Sequence, residues 1–143
     1  VFPYVITIGD KLKEKVSESK DLVKEYYFEV IGNIALSTTL QFLDKQLQSR
    51  YGLVGMSTMI PGSLTDWPIE EQKPLFSLFG EEETPVGVKL TKSLLMLPAK
   101  SISGICFPTE VSFFSCQLCP RDKCAGRKAA YDNNLAKEYG ILK

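Results

Sequence analysis

Apolar and polar positions change their period several times along this chain. Residues 1–8, VFPYVITI, alternate weakly and are rich in Val, Ile, Tyr and Phe. They predict a strand, and Pro3 confines it to an edge or a strand start, because proline has no N–H to give to a ladder. Gly9 closes it. DKLKEKVSE (10–18) predicts a short polar helix, and Ser19 offers an N-cap for a longer one running from Lys20 to about Arg50. In that stretch apolar side chains recur at Leu22, Val23, Tyr26, Tyr27, Val30, Ile31, Ile34, Phe42, Leu43 and Leu47. This is a helical period with a wide stripe, which should lie against the core. The small middle of the helix, GNIALSTT (32–39), should let another backbone approach, expected to be that of a sheet.

From Tyr51 to Trp67 glycines and prolines break the pattern into a loop or short strands. Asp66 and Pro68 announce a helix over 69–79, where Glu70 and Glu71 suit the N-terminus and Pro74 is expected to kink or break it. GEEETP (80–85) predicts a turn in which Glu81–Glu83 are solvated. VGVKLT (86–91), SLLMLP (93–98) and SISGIC (101–106) predict three strands, with PAK as a tight connection between the last two. Met96, Pro98 and Lys100 lie at that connection, either ending strands or facing a ligand or partner. AGRKAAYDNNLAKEYG (125–140) predicts a terminal helix closed by Gly140.

The length, 143 residues, suits one domain with a real core. Lys+Arg and Asp+Glu balance at 17 each, which argues against a general nucleic-acid binder. No apolar run approaches the roughly 18–20 residues needed to span a bilayer, and the start has no secretory pattern. The expected compartment is therefore the cytoplasm. The first residue is Val rather than an initiator Met, which points to a fragment preceded by further chain. There is no histidine, so Ser-His-Asp and Cys-His catalysis within the chain are excluded, and any metal must be held by sulfur or oxygen.

The cysteines carry the strongest chemical signal. Cys106, Cys116, Cys119 and Cys124 are spaced C-x9-C-x2-C-x4-C. They occupy an irregular segment between a predicted strand and a predicted helix. In a reducing compartment such a cluster reads as a metal site ahead of free thiols or a redox disulfide. Four thiolates suit an iron–sulfur cluster or zinc. The irregular spacing favours iron–sulfur, with Cys106 the least certain ligand; the other three alone would suffice for three irons. Arg121, Lys123, Arg127 and Lys128 flank the cysteines. They would offset thiolate charge, dock an acidic or phosphate-bearing partner, or simply form an exposed helix start. The chain thus divides into a core, 1–106, and a cysteine-rich segment with the terminal helix, 107–143.

Three stretches in order, VITIGDKLKEKV, PGSLTDWPIEEQKPLFSLFG and GVKLTKSLLMLPAKSISGI, resemble the activation domain of cobalamin-dependent methionine synthase and its stand-alone activation subunits. The resemblance covers roughly residues 5–106 and is most specific from Gly87 to Gly104. It implies an α+β fold, a twisted antiparallel sheet with flanking helices. It also implies docking on a cobalamin-carrying protein, support of its reductive reactivation, a separate electron-donor protein, and binding of S-adenosylmethionine. The family's ligand signature, Arg-x-x-x-Gly-Tyr followed by Pro, is matched at Gly62 and Pro68, but Thr58 stands for the Arg and Ser63 for the Tyr. The Arg's planar fork would clamp a ligand carboxylate. Thr58 cannot, so S-adenosylmethionine binding is expected to be weak or absent. The candidate ligand or corrinoid contacts are Thr58, Pro61, Gly62, Ser63, Asp66 and Trp67, although Trp67 also suits a core anchor and Asp66 a helix cap. The expected function is that of a corrinoid-protein accessory with a cysteine-ligated centre. Two alternatives remain open: an S-adenosylmethionine-binding reactivation subunit, and a structural zinc-binding interaction module.

Overall fold

A computed structural model describes residues 1–19, 21–64, 66–80, 83–110, 113–124 and 127–141. The chain opens with β1 (Phe2–Thr7), α1 (Lys11–Glu18) and α2 (Leu22–Tyr51), followed by β2 (Met56–Met59). A 3-10 turn at Ile69–Glu71 leads into α3 (Gln72–Ser77). Then come β3 (Lys89–Leu90), β4 (Met96–Leu97), β5 (Ser101–Pro108), a second 3-10 turn at Ser115–Gln117, and α4 (Asn133–Glu138). The expected α+β class is what the structure has.

The main sheet is antiparallel with order β1-β5-β2. β5 is central: Phe2 pairs with Cys106 at one end of β1 and Thr7 with Ser101 at the other, while Met56 pairs with Pro108 and Met59 with Ile105. Pro3 therefore sits on an edge strand, as a residue without an N–H must. β3 and β4 form a separate two-stranded hairpin, Lys89 opposite Leu97. These two strands are shorter than the pattern predicts, because Thr91 takes over the hydrogen bonding: its hydroxyl accepts from Leu95 N–H at 3.0 Å, which makes a turn where strand was expected.

α2 begins two residues later than Ser19 predicts. Asp21 is the N-cap, its carboxylate accepting from Val23 N–H at 3.0 Å, and Ser19 supports it by accepting from Asp21 N–H. Gly52, in the left-handed region, ends the helix. The core lies between α2 and one face of the sheet, where Tyr4, Ile6 and Cys106 meet Leu40, flanked by Phe2, Leu36, Leu43 and Leu47. The expectation that the whole apolar stripe of α2 faces this core is corrected. Only Gly32 and Leu40 are buried on it, while Leu22, Val23, Tyr26, Tyr27, Ile31, Ile34 and Phe42 are exposed. Apolar residues occur nearly all round this helix, and a single small sheet covers one side of it. Gly32 is approached by the side chains of Leu12 and Lys100 rather than by a sheet backbone.

The 69–79 helix is a 3-10 turn followed by a fresh α-helix. Pro74 falls in the first turn of α3, where a missing N–H costs nothing. The terminal helix is much shorter than 125–140, beginning only after Asp132, whose carboxylate caps Asn134 and Leu135 N–H. Gly140, at φ 66°, follows its end as expected. Ala125, Gly126, Glu81 and Glu82 lie outside the described residues. Among the described residues no helix is long and apolar enough to cross a membrane.

Candidate functional site

Successive strand residues face opposite ways. Met56 and Cys106 face α2, so Met59 and Phe107 face the other side of the sheet. Over that second side lies a cavity of about 590 Å³, within the range of small-molecule sites.

The chain after β5 makes its far wall. Thr58 and Phe114 form a parallel bridge beside β2, and Phe113 N–H donates to the buried Ser57 hydroxyl at 3.1 Å. These bonds swing Phe113, Gln117 and Leu118 over the sheet. Asp132 N–H donates to Gln117 carbonyl at 2.9 Å, which draws α4 alongside and presents Leu135 and Tyr139 to the cavity. The loop before α3 forms the remaining side. Gly62 N–H donates to Trp67 carbonyl at 2.7 Å and Trp67 N–H to Leu64 carbonyl at 3.2 Å. Gly62 has φ 82°, a conformation that L side chains rarely adopt. The closed loop points Leu64 and Asp66 into the space.

Of the residues singled out in the sequence, Asp66 lines the cavity. Thr58 does not: its hydroxyl lies 3.6 Å from Cys106 sulfur, on the α2 side of the sheet. Pro61 is buried, and the Ser63 hydroxyl is buried with no hydrogen-bond partner among the described residues. Trp67 is half-buried and lies outside the lining. Lys100 ties the 98–100 turn to α2 by donating to Glu29 and to Asn33 at 2.8 Å. The walls contributed by Phe107, Phe113, Leu118, Leu135 and Tyr139 escaped sequence reasoning. The only available signal was apolar side chains scattered through a segment otherwise read as cysteine chemistry.

The cavity is mostly apolar, with carboxylates at Asp66 and Asp132 and no Lys or Arg in its described lining. It therefore favours an apolar ligand that is neutral or positively charged over a free carboxylate.

The cysteines separate into two environments. Cys106 is fully buried beneath α2, near Tyr4 and Asp44. Burial pushes its thiol up, the Thr58 hydrogen bond works against that, and Asp44 adds to it. Burial likewise raises the Asp44 carboxyl, opposed by Lys128, and raises the Tyr4 phenol, with Cys106 and Asp44 adding to the effect.

Cys116 and Cys119 are half-buried and Cys124 is exposed, on a loop organised by Arg127. The Arg127 guanidinium donates to the carbonyls of Cys116 at 2.9 Å, Cys119 at 3.1 Å and Ala129 at 3.1 Å, and also to that of Arg121. Lys128 N–H donates to Cys116 sulfur at 3.4 Å. Arg127 is thus a structural clamp, while Arg121, Lys123 and Lys128 are exposed. Among the described residues no three Cys, Asp or Glu side chains come together as a metal-ligand set. Cys106 in particular is enclosed in the core with Thr58. The described residues do not fit a four-thiolate centre.

Residues 62–129 match the family model of the vitamin B12 dependent methionine synthase activation domain. This segment is similar to the activation-domain family. The match takes in the 62–68 loop, the β3–β4 hairpin, β5 and the Arg127-clamped cysteine loop. No curated protein and no solved structure matches the chain.

Proposed function

We propose that this activation-domain relative is an accessory protein that docks on a corrinoid protein and supports its reductive activation, with the cavity beside the 62–68 loop as its ligand-contact site. The observation that carries this reading is the position of the cavity. Leu64, Asp66, Phe107, Phe113, Gln117 and Leu118 all fall within the family-matched segment, so more than half of the lining of this recess is family-matched. The exposed cations Arg121, Lys123 and Lys128 guide docking onto an acidic partner surface. Electrons come from a separate donor protein, and cobalamin enters only through the partner.

S-adenosylmethionine, the ligand that the resemblance implies, meets half of what it needs. Asp66 and Asp132 suit its ammonium and sulfonium charges. Its carboxylate has no basic partner in the described lining, and Thr58, at the expected Arg position, faces away from the cavity. Losing a charge-assisted contact of that kind costs about 2–3 kcal/mol, or roughly a hundredfold in affinity. Titration calorimetry should therefore show S-adenosylmethionine binding weaker than micromolar; micromolar affinity would restore the reading as a reactivation subunit. Neither an iron–sulfur nor a zinc step enters this proposal, because the described thiols do not converge.

The docking test is co-elution with a cobalamin-dependent methionine synthase that lacks its own activation domain. A complex should form and weaken when Arg121 and Lys123 are replaced by Glu. No complex at tens of micromolar would sink the proposal.

A further inference from the structure

α2 has a second apolar face that the core does not use. Val23, Tyr26, Tyr27, Val30, Ile31 and Ile34 recur at intervals of three and one, the spacing of one side of an α-helix. At 100° per residue they point away from Leu36, Leu40, Leu43 and Leu47, the side chains that meet the sheet. All six are exposed, between 36% and 66%. The face ends abruptly. Beyond Ile34 the same side of the helix carries Ser37, Thr38, Gln41 and Lys45, so the patch occupies about 18 Å of the helix.

The patch is also symmetric. Its six positions mirror one another about a point between Phe28 and Glu29. If a second α2 lies across it antiparallel, Val23 stands opposite Ile34, Tyr26 opposite Ile31 and Tyr27 opposite Val30. Each aromatic ring then meets a β-branched side chain, and no apolar residue meets a polar one. A two-fold interface requires this self-complementarity, whereas a different protein would not.

We propose that the N-terminal half of α2 is a homodimer interface, with two copies packed antiparallel through these six side chains. The area is sufficient. The exposed fraction of the six amounts to on the order of 600 Å² per copy, so a pair removes about 1,200 Å² from water, the lower end of stable interfaces. The charges also permit it: 17 basic and 17 acidic residues leave each copy neutral, so the copies do not repel. This inference is independent of the cavity.

Light scattering on the eluting full chain, from about 1 to about 100 µM, tests it over the range in which an interface of this size dissociates. The wild type should run as a dimer whose unfolding midpoint rises with concentration. Tyr27→Glu and Ile31→Glu, both at exposed positions, should run as monomers with an unchanged circular dichroism spectrum. Copies carrying Val23→Cys, mixed with copies carrying Ile34→Cys and oxidised, should yield a peptide-mapped 23–34 cross-link. A monomer throughout the range, or a dimer that survives both Glu variants, would overturn the proposal.

Discussion

The same three strands end in very different ways on their two sides. Toward α2 the sheet is closed: Tyr4, Ile6 and Cys106 pack on Leu40, and the flanking side chains complete the layer. Toward the C-terminal segment it is left with a cavity. The covering elements explain the difference. A 30-residue helix can lay a continuous stripe of large side chains on a sheet. A 3-10 turn and a six-residue helix cannot. They are held by polar bonds, such as Phe113 to Ser57, Asp132 to Gln117 and Arg127 to the loop carbonyls. Hydrogen bonds fix position without filling space. One side of the sheet is therefore tightly packed, and the other keeps open space.

The largest effects should fall on the closed side. Leu40→Ala should cost about 3 kcal/mol in denaturant unfolding. Leu135→Ala, beside space already empty, should cost about 1 kcal/mol or less. Equal costs would break the comparison. Gly104→Ala belongs with the first group, since a Cβ there would overlap the Met59 carbonyl and the Tyr4 hydroxyl; about 3 kcal/mol is expected.

An intermediate effect is expected at the clamp. Arg127→Ala removes the guanidinium from four carbonyls and should cost about 2 kcal/mol locally. Hydrogen exchange should quicken in residues 113–132 while the amides of β1 and β5 keep their protection. Uniform loss of protection would mean that the clamp supports the whole fold.

The smallest effect is a pH dependence on the closed side. The Tyr4, Asp44 and Cys106 groups all hold their protons more tightly folded than unfolded. Between the unfolded and folded values the native state binds more protons, so stability falls as pH rises. For Asp44 this decline begins in the ordinary carboxylate range. For Cys106 and Tyr4 it begins in the thiol and phenol ranges, at about pH 8.5 and 10. Asp44→Asn should flatten the acidic part of the profile and Tyr4→Phe the alkaline part, read from unfolding midpoints against pH. Stability that rises with pH through these windows would contradict the burial of the three groups.

Much of the closed side was legible in the sequence. β1, α1 and α2 follow from alternation, helical period and breaking glycines, because their apolar positions repeat and repetition is what period detects. The open side was legible in one residue, Asp66. Its other walls depend on where a non-repetitive chain crosses β2, set by single hydrogen bonds between residues 56 apart such as Ser57 and Phe113. No local pattern encodes such a bond. Cys106 shows the same limit. Spacing grouped it with three other thiols, but strand alternation decided its direction and turned it under α2. The second face of α2 was visible as apolar residues and misassigned to the core, since period alone cannot say how many partners a helix has.

The central claim is that the open side serves a corrinoid protein. The most direct measurement is the rate at which a cobalamin-dependent methionine synthase lacking its activation domain recovers from its inactive Co(II) state, with reductant and donor protein supplied. Adding this chain should raise the rate by about tenfold or more, and Leu64→Asp or Leu135→Asp should abolish the gain while leaving the fold intact. A rate unchanged by the chain, or equally raised by both cavity variants, would contradict the account.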